Sequence, residues 1–403
     1  MQIEYIPLEQ LGFVGRGKSK HRPRNDESLY GGDYPFIQTA DVKKAELYIR
    51  EYSQTYNEKG LAQSKLWPKG TLCLTIAANI ADTAILDMEA CFPDSIIGFI
   101  ADETKVNVKY VKYFYSLFQR NLQKISQGAA QDNLNLEKLL MYPIPCPSLN
   151  VQNRIVGVLG TIDDLLVCNS DLIDRHKLMV EKLYHEWFIN FKFPNHEQVE
   201  FFDGIPDGWT NVSLKEVIST NPSTLKKGEL DEILYVDISS VGQGKIESFT
   251  QYHIDDAPGR AKRKVQHGDV IWSCVRPNRK QYALIQNPQS NLIVSTGFTV
   301  LRPTKIPFTY LTALAASDNF CGYLTSVAQG AAYPAVTYKD FEDYEFLLPP
   351  KSLLDKFHEV VELMYEQMHI LQIQNQKLQD LKEILLPRLM SGELDVSKLS
   401  SIE

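Results

Sequence analysis

The side chains in this sequence with the most chemical potential are cationic, and they cluster. Residues 15–24, GRGKSKHRPR, carry Arg16, Lys18, Lys20, Arg22 and Arg24. Residues 259–264, GRAKRK, carry Arg260, Lys262, Arg263 and Lys264. Residues 276–280, RPNRK, carry Arg276, Arg279 and Lys280 around Asn278. Lysine and arginine in such runs can neutralise phosphates and set register on a polyanion. At a turn tip, Arg can reach guanine edges, and Asn or Gln adenine edges. For any one cluster alone, a solvated loop is the simpler reading.

The net charge of −8 at pH 7 argues against a polyanion partner until its distribution is considered. Residues 148–200 hold 5 basic and 8 acidic side chains, and residues 351–403 hold 6 and 9. The acidity thus lies mostly in those two stretches, and the remainder of the chain is close to neutral.

Catalytic signatures are few. GFVGRGKS (12–19) matches G-x-x-x-x-G-K-[ST] in its letters, but GRGKSK opens no helix, and no G-x-G-x-x-G follows a strand. Asn221-Pro222-Ser223-Thr224 lacks the aromatic residue with which amino-methyltransferases stack a flipped base. One acidic-acidic-lysine string, Asp94, Glu103 and Lys105, has the residue types of a metal-dependent nuclease. Its spacing is short and the second half of the chain has no counterpart. Surface turn and strand residues are the better reading, and no metal or cofactor is expected. The six cysteines are scattered without a C-x-x-C, as buried thiols in a reducing cytoplasm would be. No apolar run approaches the roughly 20 residues that span a bilayer, and the N-terminus shows no secretory signal.

What must position these side chains is a structure that repeats once. Gln127-Gly128-Ala129-Ala130 matches Gln329-Gly330-Ala331-Ala332 at an offset of 202, and Tyr142 and Pro147 match Tyr344 and Pro349 at the same offset. YPFIQTADV (34–42) resembles LYVDISSV (234–241). KGTLCLTIAANIADTAIL (69–86) resembles HGDVIWSCVRPNRKQYALI (267–285). β-Branched and aromatic residues make TLCLTIAANI and DVIWSCV strands, with hairpin tips at 77–82 and 276–281. Residues 112–126, with Lys109 and Tyr110 before them, read as a short amphipathic helix with its counterpart at 308–324.

After each Pro-rich stretch an amphipathic helix is expected. Ile155, Leu159, Ile162, Leu166, Leu172, Met179 and Leu183 line the first. Phe357, Val361, Met364, Met368, Leu371, Leu378 and Leu385 line the second. Asn169 and His176 fall on the first seam. Each helix spans about 35–40 residues, on the order of 50–60 Å at 1.5 Å per residue. Each stripe needs a partner, and the other helix, packed antiparallel, is the nearest. Pro387 interrupts the second helix and Gly392 stops it.

The domains expected are 1–147, a helix over 148–192, a linker over 193–208, a second domain over 209–349, a helix over 350–392 and a tail over 393–403. The fold class is α/β, with the two domains separated by a coiled-coil-like helix pair.

In this order, the strings IPCPSLNVQNRIVGVLGTIDDLLVCN (144–169), LYHEWFINF (183–191), IPDGWTNVSLKEV (205–217) and LKEILLPRLMSGELDV (381–396) resemble the specificity subunit of type I restriction-modification systems. The match covers nearly the whole chain, although the first half has no counterpart of GIPDGW. The resemblance implies two target-recognition domains, each reading one half of a split, asymmetric DNA sequence. It implies helices that space the halves and dock methyltransferase subunits, with restriction subunits in the full complex and catalysis on those partners. On that reading, Arg276, Asn278, Arg279 and Lys280 face DNA in the second domain, with Arg260, Lys262, Arg263 and Lys264 on phosphate. In the first domain the contacts are Arg16, Lys18, Lys20, Arg22 and Arg24, with Asn79 at the equivalent hairpin. Gln127 and Tyr333, beside the repeated QGAA, are further candidates. The competing readings are a stand-alone nuclease using Asp94, Glu103 and Lys105, and a helical adaptor that does not touch DNA.

Overall fold

The computed structural model describes residues 3–23, 25–45, 47–76, 82–126, 142–330 and 332–396. The chain divides into two compact units, Met1–Cys168 with Asn375–Glu403, and Asn169–Gln374.

In the first unit the strands are β1 (Glu4–Ile6), β2 (Gly12–Arg16), β3 (Tyr30–Phe36), β4 (Tyr48–Ile49), β5 (Gln54–Tyr56), β6 (Leu66–Trp67), β7 (Leu72–Thr75), β8 (Thr83–Leu86), β9 (Ala90–Cys91), β10 (Ile96–Ala101) and β11 (Ile144–Cys146). One sheet runs β2-β10-β7-β8-β4 and a second runs β5-β3-β9-β6. β1 pairs with β11, Tyr5 opposite Pro145. Every residue of β7 and β8 is buried, so these strands read as apolar runs rather than alternating ones.

The second unit adds β12 (Phe201–Phe202), β13 (Ile205–Pro206), β14 (Thr210–Ser213), β15 (Ile218–Thr220), β16 (Glu232–Val236), β17 (Thr250–His253), β18 (Ala261–Lys264), β19 (Val270–Ser273), β20 (Tyr282–Leu284), β21 (Leu292–Ser295), β22 (Phe298–Pro303) and β23 (Glu345–Leu348). Its sheets run β15-β22-β19-β20 and β17-β16-β21-β18, and β14 pairs with β23. This repeats the first unit's strand order, β15-β22-β19-β20 standing where β2-β10-β7-β8 stand, except that β4 on the edge beside β8 has no counterpart. Even the parallel pairing recurs: β3 with β9 through Phe36 and Cys91, and β16 with β21 through Val236 and Val294. The faint sequence repeat is thus a duplication of the main strand order in both sheets.

The helices behind the sheets differ more. The first is continuous over Val108–Ser126. The expected single counterpart at 308–324 is two helices, Phe308–Ala316 and Asp318–Val327. Ser317 ends one and caps the other by accepting from the Phe320 N–H.

The two long helices run Leu149–Tyr184 and Lys351–Met390. The first closes in a π-helical turn, His185–Ile189, with Asn190 N–H donating to the His185 carbonyl at 2.9 Å. The second differs from expectation, because it continues through Pro387. That proline is exposed and lies in the last turn, so the hydrogen bond it cannot make is lost at little cost. Gly392 then leaves the helix at φ +78°.

Within each unit the long-helix segments pack antiparallel. In the first unit Lys382 meets Asp163, and Arg154 donates to the Val396 carbonyl at 3.2 Å. In the second, Asn169 donates to Gln374 at 3.5 Å, and the Trp187 and Phe188 rings contact Phe357. The core of the first unit joins Leu8, Leu72, Phe99, Tyr110, Ile155 and Leu386. That of the second joins Trp209, Val270, Trp272, Tyr310, Phe341 and Phe357.

The buried stripe corrects one expectation. Ile155, Leu159, Ile162 and Leu166 are buried, but Leu172 and Met179 are exposed and Ile173 and Val180 take the inner positions. At 3.6 residues per turn, a six-residue step from Leu166 to Leu172 swings about 120° off the seam, whereas seven residues return to within about 20°.

Candidate nucleic-acid interface

In the second unit, β19 and β20 are antiparallel neighbours, Trp272 opposite Tyr282. Their connection is a single 3-10 turn, Pro277–Arg279. Arg276 and Lys280, on either side of it, both adopt the left-handed region, at φ 51° and 54°. For a non-glycine residue that conformation needs support from its surroundings. Here the support is local and cross-chain. Lys280 N–H donates to the Pro277 carbonyl at 2.9 Å, and Arg276 N–H donates to the Pro334 carbonyl at 2.7 Å.

Pro334 belongs to the repeated QGAA segment. Gln329 and Ala335 exchange two backbone hydrogen bonds, and Val336 N–H donates to the Cys274 carbonyl. Gly330 sits at φ +104° with the Tyr333 carbonyl oxygen 3.0 Å from where a Cβ would stand, so this bend requires glycine. The result places the Arg276 guanidinium 4.7 Å from the centroid of the Tyr333 ring. Tyr333 is 69 % exposed.

The other cations of this unit differ in what they are free to do. Asn278 and Arg279 are exposed on the turn, and Gln243 donates to the Arg279 carbonyl at 3.5 Å. Lys280 is ion-paired with Asp318 at 2.7 Å, and that hydrogen bond lowers the Asp318 carboxyl's pKa. Lys264 is paired with Glu229. Arg260 and Lys262 are exposed, their backbone carbonyls fixed by the N–H groups of Thr296 and Leu225. Arg263 is half-buried and its Nε has no hydrogen-bond partner. Its charge reaches the Cys274 thiol: burial raises that thiol's pKa, against a hydrogen bond from Thr299 and the charge of Arg263.

In the first unit, β2 delivers exposed Arg16 at its end, opposite Ile97. The chain then runs tightly against the body of the unit. Gly17 N–H donates to the Ile96 carbonyl and Lys18 N–H to the Phe92 carbonyl, each at 3.0 Å. A Cβ at Gly17 would fall 2.3 Å from the carbonyl oxygens of Phe92 and Pro93. The Gln63 side chain accepts from the N–H groups of Lys20 and His21, at 2.6 and 3.0 Å. Lys18 and Lys20 are exposed. Arg22 turns inward on its own loop, donating to the Ser19 and His21 carbonyls at 2.6 and 2.8 Å. Asp26 closes the loop by accepting from Ser28, with His21 at 2.7 Å. The Ser28 hydrogen bonds, with a smaller one from His21, hold the Asp26 carboxyl down at about 2.

Lys65 joins this group although the sequence did not single it out. Its ammonium lies 3.7 Å from the centroid of the Trp67 ring and 4.5 Å from that of Phe13, which is itself 53 % exposed. Partial burial, and then the nearby charge of Lys18, lower its pKa. The available signal was the basic-aromatic alternation in Lys65-Leu66-Trp67. Arg24, Asn79 and Gln127 lie outside the described residues.

The nuclease string does not form a carboxylate pair with a free lysine. Lys105 closes its own turn, pairing with Asp102 at 3.1 Å and donating to the Gln10 carbonyl at 3.3 Å. Among the described residues no group of three or more His, Cys, Asp or Glu side chains is placed to hold a metal ion, and no helix is long and apolar enough to cross a membrane.

A family model, the type I restriction modification DNA specificity domain, matches residues 3–174. The chain is 26 % identical to the type I restriction enzyme MjaIX specificity subunit of Methanocaldococcus jannaschii, covering 97 % of this chain and 93 % of that one. It is 22 % identical to the MjaVIII specificity subunit of the same organism, over 93 % and 89 %. The fold is similar to a crystal structure of a type I restriction-modification system S subunit from M. genitalium, with a TM-score of 0.60, 14 % identity and 96 % of each chain covered.

Proposed function

We propose, for a chain that belongs to the DNA specificity subunits of type I restriction-modification systems, that its two units read the two halves of one bipartite, asymmetric DNA target. The observation that carries this reading is the duplication: one strand order occurs twice, and each copy carries its own basic segment. Similar folds with different surface residues are what two unlike half-sites call for. Exposed Arg16, Lys18 and Lys20 serve the first half, and Arg276, Asn278 and Arg279 the second, with Arg260 and Lys262 on phosphate. Lys264 and Lys280, neutralised by Glu229 and Asp318, hold the reading loops instead of contacting DNA.

On this reading the chain recognises and its partners act. The long helices keep a second set of apolar residues in solvent: Leu165, Leu172 and Met179 on the first, and Leu363, Ile370, Ile373 and Ile384 on the second. Such rows on a helix fit another helix, and we assign them to methyltransferase subunits, which in turn recruit the restriction subunits.

The test is a methylome. The chain is expressed with its methyltransferase partner in a host without modification, and methylated bases are mapped. A split motif with a fixed unread gap, absent when this chain is omitted, is the expected result. Methylation that does not depend on the chain refutes the reading.

A further inference from the structure

We propose that Arg276 reads a guanine in the second half-site and that Tyr333 is the residue that positions it. The inference rests on the DNA-recognition reading above and deepens it, by separating one specificity-determining side chain from the cations around it.

Three observations single out Arg276. The first is its freedom. Lys280 and Lys264 are neutralised by carboxylates and Arg22 is spent on its own loop carbonyls, whereas no carboxylate pairs with Arg276 among the described residues. The second is its fixed backbone. The left-handed conformation is sterically unfavourable for arginine, and it is held by the 2.7 Å hydrogen bond to Pro334 and by the Arg279 N–H donating to the Arg276 carbonyl at 2.9 Å. The third is the platform. Tyr333 lies under the guanidinium at 4.7 Å, and its loop is tied to the Arg276 strand through Cys274, Val275 and Arg276.

These features favour a base edge over a phosphate. A phosphate contact needs charge but little orientation, and exposed Arg260 and Lys262 already provide charge. A planar fork held over a ring gives up rotational freedom before it binds. Its N–H groups then present in one plane, as bidentate bonding to guanine O6 and N7 requires. Lysine has the charge without the fork, so exchange of Arg276 for Lys separates the two roles.

The experiment uses the full chain with its methyltransferase partner, and reads both the methylome and binding to duplexes that vary one base at a time. R276K keeps the charge, R276N keeps the left-handed backbone that Asn tolerates, Y333F keeps the ring and Y333A removes it. R276K and R276N should lose discrimination at one guanine of the second half-site, by about 5-fold to 150-fold, leaving the first half unchanged. Y333A should relax the same position, and Y333F should behave as wild type. Uniform weakening at every site with an unchanged motif would make Arg276 a phosphate contact and overturn the proposal. So would an unchanged motif with unchanged affinity, or relaxation at a base other than guanine. Loss of all methylation by R276N alone would reflect folding, and R276K with Y333A then decides. A wild-type methylome without a split motif refutes the recognition reading itself, which is a separate failure.

Discussion

Asp163 and Lys382 form a buried ion pair between the two long helices of the first unit, their side chains only 5 % and 17 % exposed. The second carboxylate oxygen accepts from the Tyr113 hydroxyl at 2.6 Å, and the Lys382 ammonium also lies 5.6 Å from the centre of that ring. Tyr113 comes from the 108–126 helix, so three helical segments meet at one carboxylate. A buried polar contact of this kind fixes helix register more surely than it adds stability.

Asp163→Ala leaves the Lys382 ammonium buried without its partner, at a cost of about 3–5 kcal/mol. Replacing both with apolar residues, Asp163→Leu with Lys382→Met, should cost much less. Native-state hydrogen exchange on the amides of β7 and β10 reads the difference. An equal loss in the single and double variants would show that packing, not the stranded charge, sets the cost.

Thiol chemistry should rank the cysteines. Burial raises the pKa of the Cys73 and Cys91 thiols and pushes Cys146 up to about 11, which keeps them protonated and unreactive at pH 8. Cys168 is exposed on the first long helix, and alkylation at pH 8 should modify it first. Leu165 and Leu172 flank it one turn away on either side, so adding the methyltransferase should slow that reaction. An unchanged rate in the complex would place the partner elsewhere.

Arg260 and Lys262 should act through charge alone. Each exchanged for Gln should weaken DNA binding evenly across sequences and reduce the salt slope by about 0.9 for every phosphate left without its cation. The methylated motif should stay the same. A change of motif would instead make either residue a base reader.

Gly17→Ala brings a methyl group against two backbone carbonyl oxygens that cannot move aside as a side chain can. The 16–22 segment must then leave its place, at a cost of about 1–3 kcal/mol as in other overpacked sites. Discrimination at the first half-site should fall while the second half-site is read normally. Competition between duplexes altered in one half or the other measures this, and equal losses in both would contradict separate reading by the two units.

The sequence by itself determined the duplication, the places of the long helices and which segments are basic. Offsets, periodicity and composition are local properties, and they survive without knowledge of contacts. They also located the 276–280 hairpin, since β-branched and aromatic residues on the strand before RPNRK leave those five residues as its turn. Tertiary structure decided what those cations can do. Lys264 and Lys280 look as available as their neighbours until Glu229 and Asp318, distant in sequence, arrive beside them. Tyr333 gains meaning only when the QGAA segment folds against β19 and brings its ring beneath Arg276. The faces of the long helices were fixed in the same way: Leu172 and Met179 are apolar and periodic, yet Ile173 and Val180 occupy the seam. Pairing of charges, stacking of rings and the choice between two apolar stripes are long-range events, and each depends on which surface another part of the chain brings near.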